Sequence, residues 1–179
     1  MTGYNDLLLL TKNKASEILK EVSESMPITI PIPINRVVEM YVGDVKICSA
    51  FFRKKLEGVS AFATKDMETG WVIVTDASES RHRRRFSIAH ELGHIVLFPE
   101  MYPAFHDQRK STQEERICNR FAGDILMPDD AVKLYYQEHP MPFVESVAEY
   151  FDVSPQAASI QLKRLGLPVR RCVAGGTRR

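Results

Sequence analysis

The sequence predicts an α+β fold: a mainly helical single domain carrying a small antiparallel three-stranded sheet. Three observations lead there. Apolar residues recur at helical spacing near both ends of the chain, and three short runs rich in β-branched and aromatic residues lie between positions 45 and 75. The length, 179 residues, suits one domain able to bury about 70% of its unfolded surface without cross-links.

Residues 6–24 set Leu7, Leu8, Leu10, Ala15, Ile18, Leu19 and Val22 among Lys and Glu at helical intervals, which predicts an amphipathic helix packed on the core. Pro27, Pro31 and Pro33 then alternate with Ile28, Ile30, Ile32 and Ile34. Proline lacks the ladder donor, so this stretch reads as an extended crossing segment and not as a central strand. Asn35 is the expected cap of a short helix over 36–42, ended by Gly43. Strands follow at 45–52, 58–64 and 71–75, with a turn at 66–70. Asp76 followed three residues on by Glu79 matches an N-terminal capping pair and predicts a helix starting near Ala77. Ser111 and Glu114 form a similar pair ahead of a helix over 112–126, whose Ile117, Cys118, Phe121, Ala122, Ile125 and Leu126 make a wide apolar stripe. The polar loop 99–111 between these two helices is expected beside any cleft they form. Residues 144–150, a four-residue turn and a segment 155–165 capped by Ser154 and ended by Gly166 read as two helices of a helix-turn-helix. The domain is expected to span 1–168, with 169–179 a flexible basic tail.

Composition narrows the function class. With 24 basic and 23 acidic residues the net charge is +1, which disfavours a global polyanion-binding surface and leaves room for a local patch. Arg81, Arg83, Arg84 and Arg85 form such a run near a helix start, where the helix dipole disfavours cations. Three widely separated cysteines, Cys48, Cys118 and Cys172, suit a reducing cytosol better than a disulfide framework, so a cytoplasmic location is expected. Cys48 and Cys118 sit among apolar neighbours and read as core. The first residues lack a basic flank, and Leu7 to Leu10 is too short for a signal core or a membrane span.

The chemistry resides in His90-Glu91-Leu92-Gly93-His94. On a helix, positions i and i+4 share a face, so both imidazoles can reach one Zn²⁺ while Glu91, one residue round, can approach a water on that ion. Ala89, Gly93 and Leu97 make this side small or apolar, a poor setting for histidines scattered on a solvated surface. A catalytic zinc site usually takes three protein ligands, and the downstream candidates for the third are His106, Asp107, Glu114, Glu115, Asp124 and His139. If Ser111 caps the helix, Glu114 is occupied and Glu115 is the available carboxylate; if Thr112 caps through Glu115, Glu114 takes its place. Spacing leaves both open. His106, Tyr102 and Arg116 are candidates for stabilising an oxyanion, although a loop His or Tyr is more often simply exposed.

The run Arg83 to His94, followed by Glu115-Arg116-Ile117-Cys118-Asn119-Arg120-Phe121-Ala122 and Ile125-Leu126-Met127-Pro128, resembles the ImmA/IrrE family of metallopeptidases. Ile32-Pro33-Ile34 resembles the family's N-terminal part, and Val153-Ser154 with Arg164 to Leu167 the end of its domain, so the likeness covers roughly residues 10–168. It implies His90, His94 and Glu115 as zinc ligands, Glu91 as the catalytic carboxylate, and a small sheet beside the metal-bearing helices. Two departures bear on packing: Cys118 stands where the family commonly has Ala, and Gly123-Asp124 replaces small and apolar residues. Asn119, one turn beyond Glu115, is a candidate for orienting a ligand, with a simple interface hydrogen bond as the alternative.

The expected function is therefore a zinc-dependent endopeptidase, with Mn²⁺ or Fe²⁺ also compatible with the ligand types. The resemblance implies a protein substrate, a helix-turn-helix repressor of a mobile element or a stress response. The alternative is a DNA-binding or protein-binding regulator using residues 144–165, where Gln156, Ser159 and Gln161 would face the duplex. That segment carries little positive charge at the start of its second helix, which favours packing over base reading.

Overall fold

The computed structural model describes residues 4–52, 59–66, 70–99 and 112–170. The loop 99–111 beyond Pro99, the Ser111 cap, His106, Asp107, Tyr102, the middle of the 66–70 turn, Cys172 and the tail from residue 171 lie outside them. The elements run α1 (Tyr4–Ser23), α2 (Ile34–Val42), β1 (Val45–Ala50), β2 (Ala61–Asp66), β3 (Gly70–Asp76), α3 (Arg81–Leu97), α4 (Thr112–Leu126), α5 (Asp129–Glu138), α6 (Val144–Phe151) and α7 (Pro155–Arg164). The α+β class with a three-stranded sheet holds, and α5 joins the elements expected from sequence.

The sheet is mixed, which corrects the expectation of an antiparallel one. β3 is central in the order β1-β3-β2; it pairs antiparallel with β2 and parallel with β1, from Val45 opposite Trp71 to Ala50 opposite Asp76. β3 is the most apolar of the three and takes a neighbour on each side. The long connection between β1 and β3, which carries β2 to the far edge, permits parallel pairing.

Two caps also differ from expectation. Pro33, not Asn35, precedes α2, and no side chain caps it; Gly43 does end that helix, at φ +79°. Asp76 accepts hydrogen bonds from the Ser78 N–H at 2.9 Å and the Ser78 hydroxyl at 2.8 Å, closing a local turn, and these bonds hold its carboxyl below the usual range. α3 therefore starts at Arg81, where the Ser80 hydroxyl accepts from the Arg83 N–H.

α3 is the central element: it packs on α4 on one side and on β2 and β3 on another, and α1 lies against α4 beyond it. Ile18, Val37, Ile73, Ala89, Leu92, Phe121, Ile125, Phe151 and Leu162 are buried in one shared core. α6 and α7 pack together, and Ser154 caps α7 through the Ala157 N–H at 3.1 Å. Arg170, inside the segment expected as a tail, pairs its backbone with Pro142 and Val144.

Buried charge ties the helices together. Asp124 accepts from the Thr11 hydroxyl at 2.9 Å and from Arg120 Nε at 3.0 and 3.1 Å, and lies 3.1 Å from Arg164 Nη2. Arg164 also bonds Asp129, which Lys12 reaches at 2.9 Å, so α1, α4, α5 and α7 share one network. Gly123 lies where a Cβ would come within 3.3 Å of Gln161 Oε1. The Gly123-Asp124 departure is thus the seat of the α4–α7 junction.

Candidate metal centre

α3 carries His90 and His94 one turn apart on the side that meets α4. The two helices approach closely because Gly93 stands between the histidines: a Cβ there would lie 3.0 Å from Phe121 Cδ1 and 3.4 Å from Cys118 Cα. Cys118, one turn after Glu115, is fully buried at this contact. Cys48 is only half-buried, so of the two cysteines read as core Cys118 alone is fully enclosed.

That approach delivers Glu115 to both rings. His90 Nε2 and His94 Nε2 are 3.1 Å apart; the Glu115 carboxylate places Oε2 3.3 Å from the first and Oε1 3.2 Å from the second. Donor atoms sharing one zinc with arms of about 2.0–2.1 Å stand about 3.3 Å apart, and the ring–ring separation and the approach of one carboxylate oxygen to each ring are of that size. Two imidazole nitrogens and a carboxylate are also the donor types that zinc takes in hydrolytic centres, with one position left open. Among the described residues these are the three metal-type ligands gathered in one group.

Asn119 meets the outer nitrogen of the His90 ring. Its side-chain carbonyl oxygen lies 3.0 Å from His90 Nδ1, so with that amide orientation Nδ1 must carry the proton and Nε2 presents its lone pair to the cluster. Glu91 is 3% exposed and stands outside the three-residue group; its Oε2 accepts the Ala63 N–H of β2 at 3.0 Å. In the β2–β3 register Ala63 faces away from β3, and so its amide points toward α3.

The other candidate ligands are placed elsewhere. Asp124 is held in the ion network, and His139 ends α5 stacked on Tyr135 with ring centroids 4.3 Å apart. Glu114 is not in the cluster, and Arg116 is exposed. Ala63 was missed from sequence, because a backbone N–H has no side-chain signature.

A family model described as the IrrE N-terminal-like domain of the M78 peptidases matches residues 45–163, two-thirds of the chain. The chain belongs to this family. An IrrE-like curated relative, the radiation response metalloprotease IrrE of Deinococcus radiodurans, is 29% identical over 93 residues, which cover 43% of this chain and 28% of that protein. A solved chain described as a Mycobacterium tuberculosis transcriptional regulator shares the fold, with TM-score 0.56 and 15% identity over 88% of this chain and 47% of that one. This IrrE-like chain therefore spans less than half the length of either relative. Its family context is that of a metallopeptidase domain, and no helix among its described residues is long and apolar enough to cross a membrane.

Proposed function

We propose that this IrrE-like chain is a zinc-dependent endopeptidase. The observation that carries the reading is the gathering of the two imidazole Nε2 atoms of His90 and His94 with the Glu115 carboxylate, at separations of 3.1–3.3 Å. Zinc held there would supply Lewis acidity, acidifying water toward a pKa of about 7 and polarising the scissile carbonyl. Glu91 takes the proton of the attacking water and passes it to the departing amine. The Ala63 N–H fixes that carboxylate against β2, and Asn119 keeps the His90 ring turned toward the cluster.

We assign the substrate to the helix-turn-helix repressors, cut in the cytoplasm so that repression is relieved; the resemblance to the ImmA/IrrE peptidases supports this, as does the name of the relative, a radiation response metalloprotease. The DNA-binding alternative loses support at α7. Gln161 is buried and donates to the Met127 carbonyl at 3.0 Å, and Arg164 is bound to Asp124 and Asp129.

The test combines zinc analysis with cleavage of the repressor encoded beside this gene. The wild-type protein should take up one zinc and cut the repressor. Glu91→Gln should keep the zinc and cut at least about 100-fold more slowly. Equal cleavage by both proteins, or zinc uptake unchanged in His90→Ala, would overturn the reading.

A further inference from the structure

A second cleft, separate from the metal cluster, opens between the first turns of α3 and the sheet. Its volume, about 320 Å³, lies within the ~300–1,000 Å³ range of small-molecule sites. Arg81, Arg84 and Arg85 line one wall, Ser49 and Thr75 another, and Asn35 the side toward α2. The two hydroxyls are 2.8 Å apart, and Thr75 is buried.

The charges in this cleft do not balance. Asp152, at the turn between α6 and α7, lies 2.7 Å from Arg81 Nη2, 3.1 Å from Arg85 Nε and 3.2 Å from His82 Nε2. It is the carboxylate that answers these arginines among the described residues. Among the described residues Arg84 meets carbonyls, with Nη1 donating to Ala77 at 3.3 Å and Glu79 at 2.8 Å, which leaves Nε and Nη2 as further donors. Glu79 and Asp76 keep their charges but lie outside the cleft lining, where they accept from the Ser60 hydroxyl and from Ser78. At the cleft wall itself three guanidinium groups meet one paired carboxylate, so positive charge is in excess there. Burial pushes the Arg85 guanidinium down from its usual value; Asp152 opposes this and the Arg81 charge adds to it. A further anion would relieve that imbalance.

We propose that this cleft binds a small phosphorylated molecule through its phosphate, with Arg84 and Arg81 as charged donors and the exposed Ser49 hydroxyl, accepting in turn from Thr75, as a neutral one. A phosphate monoester carries about −1.5 to −2 at neutral pH and presents three acceptor oxygens, matching both the excess charge and the forked donors. A duplex backbone fits less well: Arg85, 13% exposed, and Thr75 are recessed, and a net charge of +1 disfavours a broad polyanion-binding surface. Because Arg85 also donates to the carbonyls of Ile32 and Asp152, the ligand would sit where the entry to α2, α3 and the α6–α7 turn converge.

The test is titration calorimetry and thermal melting of the full zinc-loaded chain with inorganic phosphate and with AMP, at about 150 mM salt so that loose surface attraction is screened. Saturable one-site binding with a rise in melting temperature is expected, and adenosine should do neither. Tighter binding of AMP would mark a nucleotide site, and equal binding a site for the phosphate group alone. Arg84→Gln should weaken binding about tenfold or more, since a charge-assisted hydrogen bond is lost. Ser49→Ala, at an exposed position, provides a second variant expected to fold normally and to bind more weakly. The proposal is overturned if neither probe saturates, if both variants bind as tightly as wild type, or if duplex DNA displaces the probes more effectively than AMP does.

Discussion

At the scale of single residues, the site depends on small choices of orientation. The Asn119 oxygen beside His90 Nδ1 fixes which ring nitrogen faces the cluster, and partners of this kind are typically worth 10–100-fold in metal affinity. Asn119→Ala should weaken zinc binding by about that range in a competitive chelator titration while the melting curve of the metal-free protein stays close to wild type. Unchanged zinc affinity would reduce Asn119 to an interface hydrogen bond. The His90 and His94 pair was legible because a helix turns 100° per residue, a local fact. The choice between Glu114 and Glu115 was not, because it depends on how α4 is rotated against α3, and spacing within α4 carries no record of that.

At the scale of elements, close contact between α3 and α4 brings a carboxylate to two rings on another helix. Gly93→Ala would place a methyl group 3.0 Å from Phe121 Cδ1. Overpacking of this kind costs about 1–3 kcal/mol, and we expect that loss in denaturant unfolding together with weaker zinc uptake, since Glu115 would be moved away from the rings. A variant as stable as wild type with normal zinc affinity would show that the interface yields without disturbing the site. Element boundaries tell a similar story of local rivals. Asp76 and Ser80 both have cap chemistry, and Asp76 is taken by the turn to Ser78, so α3 begins later than the acidic pair suggested. The parallel β1–β3 pairing escaped sequence reading because strand patterns specify faces, not neighbours.

At the scale of the whole molecule, the Asp124–Arg164–Asp129 network joins α1, α4, α5 and α7. Asp124→Asn removes a carboxylate that is 2% exposed, and it should cost about 3 kcal/mol in chemical denaturation, the lower end for a broken buried pair because Arg164 keeps Asp129. A loss below about 1 kcal/mol would show that the network relaxes. Burial alone would raise the Asp129 carboxyl, yet the hydrogen bonds and charges of Arg164 and Lys12 outweigh it and hold the group below its usual range. A carboxyl lowered in the folded state stabilises above its unfolded value and stops doing so as pH falls through the folded one. The stability gap between wild type and Asp129→Asn should accordingly be constant near neutrality and narrow on acidification below about pH 4. A gap independent of pH down to full protonation would contradict this assignment.

By itself the sequence determined the α+β class, the paired histidines with their carboxylate neighbour, and the helical run that would carry a third ligand. These follow from periodicity and spacing, which act over one or two turns of chain. Tertiary structure decided which carboxylate arrives, that β1 runs parallel to β3, that Gln161 and Arg164 serve the core, and that an arginine run converges on one aspartate and a cleft. Those outcomes join residues 21 to 71 positions apart, from His94 and Glu115 to Arg81 and Asp152, and only the packing of the helices on one another and on the sheet brings such distant groups within bonding distance.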